Sequence, residues 1–174
     1  MKEIEARRSV RKYMDRPVGR ELILKVLDAA RLAPSGNNTQ PWRFIVVESE
    51  EVKERIVKAD HAQKWMLSAP VLIACTADLH CRMESPVPVD QNSGLPELKQ
   101  VLRDTSIAIS YLLLEAEHVG LSTCWTGWYD QQEMQAALDL PADRYICGVV
   151  TLGYGAEHPA PRPRKPLEEL VEYR

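Results

Sequence analysis

The chain has no apolar run approaching the ~20 residues that a membrane-spanning helix requires, and no signal-peptide core at its start. A cytoplasmic location with no membrane partner is therefore expected. Its four cysteines (Cys75, Cys81, Cys124, Cys147) form no Cys-x-x-Cys pair, and a disulfide framework is not expected. His80-Cys81 near Cys75 matches no zinc-ligand spacing, so no metal site is expected either. Gly153-x-Gly155 lacks the third glycine and the following helix of a dinucleotide fingerprint, and no Gly-x-x-x-x-Gly-Lys-Ser/Thr loop occurs. None of the four histidines (His61, His80, His118, His158) accompanies a nucleophile motif, which excludes a Ser-His-Asp reading. Internal repeats and low-complexity tracts are absent. A broad basic surface is also missing. Net charge is -3, with eight Lys/Arg against four Asp/Glu in residues 1–25 and ten against seventeen in residues 26–156. That distribution argues against a general nucleic-acid binder and suits a small anion held by one local cluster.

A chain of 174 residues without a linker fits one domain, residues 1–174, with a full-sized core. The pattern predicts a short helix over 2–8 and an amphipathic helix over 20–33, stopped by Pro34. A strand over 42–48 and a charged helix over 50–59 follow, then an apolar β-branched run over 69–77 that reads as a central strand. Residues 80–96, punctuated by Pro86, Pro88, Gly94 and Pro96, read as an excursion or lid. The longest helix is predicted over 97–119, apolar on more than one face, as a core helix or a dimer-interface helix. A strand over 121–126, a helix over 131–138 and a strand over 145–152 complete the elements. Prolines 159, 161, 163 and 166 keep the tail extended. Without strict βαβ alternation, an α+β fold with a mostly antiparallel central sheet flanked by helices is expected.

The most informative stretch is Pro34-Ser-Gly-Asn-Asn-Thr-Gln-Pro-Trp42. Its short amide and hydroxyl side chains offer donors and acceptors to a polar planar ligand, and its end prolines limit the entropy lost on binding. On composition alone an ordinary αβ connection accounts for it at least as well. Arg7, Arg8, Ser9 and Arg11 supply phosphate-binding donors within five residues, although a solvated charge run is the simpler reading of that cluster. Trp125-Thr126-Gly127 is compatible with a plain strand end, and Arg162 and Arg164 with a disordered tail.

Taken together these stations resemble the FMN-dependent nitroreductase family, which carries an Arg-x-Ser-x-Arg/Lys cluster and then a Pro-Ser-x-x-Asn-x-Gln-Pro-Trp loop. The resemblance continues through Gly120–Gly127 to the basic stretch from Arg162 to Pro166, and so spans nearly the whole chain. It implies a homodimer with FMN at the subunit interface and NADH or NADPH as reductant. Arg7, Arg8, Ser9, Arg11, Arg162 and Arg164 would hold the phosphate and ribityl chain. Pro34, Ser35, Gly36 and Asn38 would reach the flavin bound mainly by the partner subunit, with Gln40 near the ribityl chain or phosphate, and Thr126 and the Gly127 amide would lie near flavin N5. Many members carry a second Ser where Gly36 stands, and glycine there lets the backbone approach its ligand closely. The implied activity is ping-pong hydride transfer to a small acceptor such as a nitroaromatic or quinone, the flavin carrying the chemistry without a catalytic side chain. A flavin-binding protein of the same fold used for flavin processing, reductive dehalogenation or sensing is the alternative.

Overall fold

Eight consecutive buried residues, Val71–Asp78, form the strand around which the molecule is organised. The computed structural model describes residues 1–174. In chain order the elements are α1 (Lys2–Ala6), α2 (Arg20–Arg31), β1 (Trp42–Val47), α3 (Glu50–Ala59), β2 (Val71–Asp78), α4 (Pro96–His118), β3 (Ser122–Thr126), α5 (Gln131–Ala137) and β4 (Arg144–Gly153). The four strands form one sheet in the order β1-β2-β4-β3, every pair antiparallel.

Strand periodicity divides β2 between two cores. Val71, Ile73 and Cys75 face α2 and α4, packing with Ile23, Val26, Ile109, Leu112 and Ala116. Leu72 and Ala74 face α3 and α5, packing with Ile56, Val57, Met134 and Ala137. A strand covered by helices on both faces carries a continuous apolar run, as the sequence shows. Helix ends follow their local chemistry. The Asp130 side chain accepts from the amides of Gln132 and Glu133 at the start of α5, and Pro96 occupies the first turn of α4. Gly120, at φ 79°, takes the left-handed position that ends α4.

Two features depart from the sequence pattern. The register between β2 and β4 shifts at Cys75/Thr76, where Cys75 pairs with Gly148 and Thr76 with Ile146. Cys147 is the extra residue of this bulge. Cys147 is partly buried and packs against two hydrophobic clusters, and burial pushes its thiol up to about 12. Residues 80–96 open with a short 3-10 turn at Leu79–Cys81 and contain no further regular element. They are nevertheless pinned in the middle. Val89 is buried, its amide donates to the Ala142 carbonyl at 2.8 Å, and its carbonyl accepts from Gln135 Nε2 at 3.3 Å.

Candidate functional site

The basic N-terminal segment forms no element of its own but runs locally extended against the sheet. Ser9 bridges Thr123 of β3, and the Val10 amide donates to the Thr123 carbonyl at 2.9 Å. Alternate residues of an extended chain face opposite ways. Arg7, Ser9 and Arg11 therefore share one side, where all three influence the buried Cys124 thiol. Burial pushes that thiol above its ordinary value, against the opposing pull of Arg11, a Ser9 hydrogen bond and Arg7.

Arg8 falls on the other side with Val10, lining a separate depression with Glu157. Its Nη1 donates to the carbonyls of Glu5, Ala6 and Arg7 at 2.6, 2.9 and 2.9 Å, satisfying the carbonyls that α1 leaves free at its end. Within one chain the cluster is thus divided, with Arg7, Ser9 and Arg11 on one side and Arg8 on the other.

Arg7 and Ser9 line a groove of about 600 Å³ together with Ile4, Trp125, Arg164 and three residues of α4, Ser110, Leu113 and Leu114. Two arginines from opposite ends of the chain meet here. Neither is paired with a carboxylate. The Arg164 side chain contacts the Arg162 carbonyl at 3.4 Å, and Arg162 itself stays in solvent outside the groove. Arg11 flanks the region instead of lining it, its guanidinium 5.7 Å from the Trp65 ring centre.

The indole of Trp125 is seated by a glycine. A Cβ built on Gly148 would lie 1.8 Å from Trp125 Nε1, so only glycine at that point of β4 leaves the ring room. Thr126 donates its hydroxyl to the Val149 carbonyl at 3.3 Å, and Gly127 follows at the strand end. Next in the chain is Trp128, 86% exposed, its ring 5.1 Å from that of His61 and tilted by 52°. The sequence pattern does not single out Trp128. Its one signal is an aromatic directly after the strand-ending glycine.

Depressions of about 570 and 620 Å³ lie elsewhere, but the first is edged by Glu3 and Glu115 and the second mixes Glu21 and Asp28 with Lys25 and Arg31. The Arg7–Arg164 groove combines two guanidinium groups that pair with no carboxylate, a hydroxyl and an aromatic face. Those are the donors and the surface that a phosphorylated planar cofactor needs, and they fit FMN.

The loop at 34–42 lines no part of that groove within one chain. Ser35 Oγ accepts from the Gln40 amide at 3.0 Å, and Gln40 Nε2 donates to the Asn38 carbonyl at 3.3 Å. Pro34, Gly36, Asn38 and Gln40 are not buried against the rest of the chain. Asn37, Asn38 and Gln40 hold left-handed φ values of 54°, 55° and 47°. Asparagine visits that region readily and glutamine rarely, so the loop conformation is imposed by its surroundings.

Asp78 fixes the exit of this loop. Its amide donates to the Pro41 carbonyl at 2.9 Å, and its carboxylate accepts from the His80 amide at 3.1 Å and meets Arg43 at 3.2 Å and Arg144 at 3.7 Å. Burial alone would raise this carboxyl, but the His80 amide and the two arginines outweigh it and hold it below 3.8. The folded state therefore favours the ionised form. The stability it contributes is complete above pH 3.8 and is lost as pH falls through the lower folded value. Asp78→Asn should accordingly lower the urea midpoint at pH 7, and the gap to wild type should close as pH falls below 3.8. A gap independent of pH would show that the carboxylate charge contributes nothing.

Comparison with known proteins identifies the family. The nitroreductase family model matches residues 4–64 and 57–154. The chain is 33% identical to an NADH dehydrogenase of Thermus thermophilus, covering 97% of this chain and 92% of that protein. It is 29% identical to an FMN reductase [NAD(P)H] of Bacillus subtilis, covering 98% and 71%. The crystal structure of a nitroreductase family protein from Clostridium difficile superposes with a TM-score of 0.80 at 29% identity, covering 98% of this chain and 95% of that one. With the family model spread over the basic segment, the polar loop and β1–β4, the chain belongs to the nitroreductase family.

Proposed function

We propose that this chain is an FMN-dependent oxidoreductase that takes electrons from NADH or NADPH and delivers them to a small acceptor, such as a nitroaromatic or quinone, in a ping-pong cycle. The observation that carries the reading is the pair of unpaired guanidinium groups, Arg7 and Arg164, facing one groove beside Ser9 and Trp125. An FMN phosphate carries nearly two negative charges and three acceptor oxygens, and arginine meets such a group with charge-assisted bonds. When bound, the flavin supplies hydride acceptance and donation, so no side chain of the protein has to act as acid or base. The protein's part is to bind and orient. Arg7, Ser9 and Arg164 hold the phosphate end, and Trp125 to Gly127 border the ring. Trp128 presents an exposed aromatic face beside them, and the NADH dehydrogenase and FMN reductase relatives support the class of reductant.

The functional unit of this reading is a homodimer of single-domain chains. The Arg7 groove shares α4 with Ile107 and Tyr111, apolar residues left 37% and 40% exposed, and the loop at 34–42 reaches no groove residue of its own chain. A second copy across α4 would bring Ser35, Asn38 and Gln40 to the flavin from the partner. No helix is long and apolar enough to cross a membrane, and a cytoplasmic location is consistent with that.

The test is anaerobic reduction. Purified protein loaded with FMN should lose its flavin absorption band on addition of NADH or NADPH, and regain it when a quinone or nitroaromatic is supplied. A yellow protein that neither nucleotide bleaches would instead support the flavin-binding alternative without reductase activity. Protein that takes up no FMN would remove both.

A further inference from the structure

Gly36, at the apex of the polar loop, is gripped on both sides by side chains from outside the loop. Its amide donates to Asp104 Oδ2 of α4 at 3.1 Å, and its carbonyl accepts from Arg82 Nη2 at 2.8 Å. The two side chains lie 3.7 Å apart at the charged atoms, and each is only 14% exposed. A charge-assisted bond from each side fixes both the position and the tilt of the main chain there.

We propose that Arg82 and Asp104 are positioning residues for the cofactor. They hold loop 34–42 in the left-handed conformation that presents Ser35, Asn38 and Gln40 to FMN. Three left-handed non-glycine residues within four positions would relax in a free loop. Holding them before the ligand arrives removes an ordering cost from binding.

The same geometry accounts for glycine at 36. A Cβ there would lie 2.6 Å from Arg82 Nη2, so a serine at 36 and an arginine at 82 exclude each other unless the guanidinium moves. In this chain a main-chain clamp stands where a hydroxyl at 36 would otherwise be.

The role depends on FMN being the ligand of the loop, so wild type is titrated with FMN beside four variants: Arg82→Ala, Asp104→Asn, Gly36→Ser and the double Gly36→Ser/Arg82→Ala. Each single variant is expected to raise the FMN dissociation constant about tenfold through lost preorganisation. The double variant should bind no more weakly than Arg82→Ala alone, because with the guanidinium gone the serine displaces nothing and the two losses do not add. Arg82→Ala and Asp104→Asn should also speed amide exchange at Gly36 in the FMN-free protein, while β2 and α4 stay protected. Wild type that binds FMN, with all four variants binding equally well and Gly36 exchange unchanged, would overturn the clamp. Wild type that binds no FMN would remove the cofactor reading, and Gly36 exchange in the FMN-free chain would then decide the clamp alone. Asp104→Asn decides the same question should the Arg82 variant fail to fold.

Discussion

Changing Arg7 and Arg164 together to alanine is expected to weaken FMN binding by about 100-fold or more, since each charge-assisted bond contributes about 1.5–3 kcal/mol. About 1.4 kcal/mol corresponds to a factor of ten, so one arginine alone should cost at least about tenfold. Where two donors share one phosphate, each single loss is partly compensated by the remaining arginine, so the double loss should exceed the sum of the two singles. The structure also supplies the contrast. Arg8 and Arg162 belong to the same two sequence clusters, yet Arg8 is committed to the end of α1 and Arg162 lies outside the groove. Arg162→Ala should leave FMN affinity within about threefold of wild type, as expected for an exposed charge. Titration of the FMN-free protein by flavin fluorescence measures all of these. A double variant binding as tightly as wild type would show that the groove does not hold the phosphate.

That contrast also marks how far the sequence could be read. The layered fold was legible because local patterns carry it. The buried run at 71–78, the two-faced helix at 96–118 and the proline stops announce themselves within a few residues, and the observed ends fall within about two residues of those expected. The division of Arg7 from Arg8 was not legible. It depends on Ser9 pairing with Thr123, a contact more than a hundred positions away that turns a compact cluster into two opposite faces. The contact of Gly36 with Arg82, 46 positions further along, leaves no mark in the local sequence either. The seat of Trp125 at Gly148 did leave a trace. A glycine inside the β-branched run from Ile146 to Thr151 is costly in a strand and marks a place where another group comes close.

A charged residue on the open face of α4 should separate the subunits and strip the flavin in one step. Ile107 and Tyr111 stand one helical turn apart on that face, and Ser110, Leu113 and Leu114 of the same helix line the Arg7 groove. A partner seated on Ile107 and Tyr111 therefore lies at the rim of the cofactor site. Because Ser35, Asn38 and Gln40 line no groove with Arg7 in their own chain, an isolated subunit would offer FMN one charged wall and an open side. Ile107→Glu/Tyr111→Glu would place two carboxylates in a desolvated contact without partners, a cost of several kcal/mol. Both positions are partly exposed in the single chain, so its own fold should survive. Light scattering should give the mass of one chain with an unchanged circular dichroism spectrum. FMN affinity should fall by about fivefold to thirtyfold, the loss of one or two hydrogen bonds of about 1 kcal/mol each. A variant that stays dimeric would take the interface away from this face of α4. A folded monomer that binds FMN as tightly as wild type would show that one chain makes the whole site, and that the loop at 34–42 serves something other than its partner's flavin.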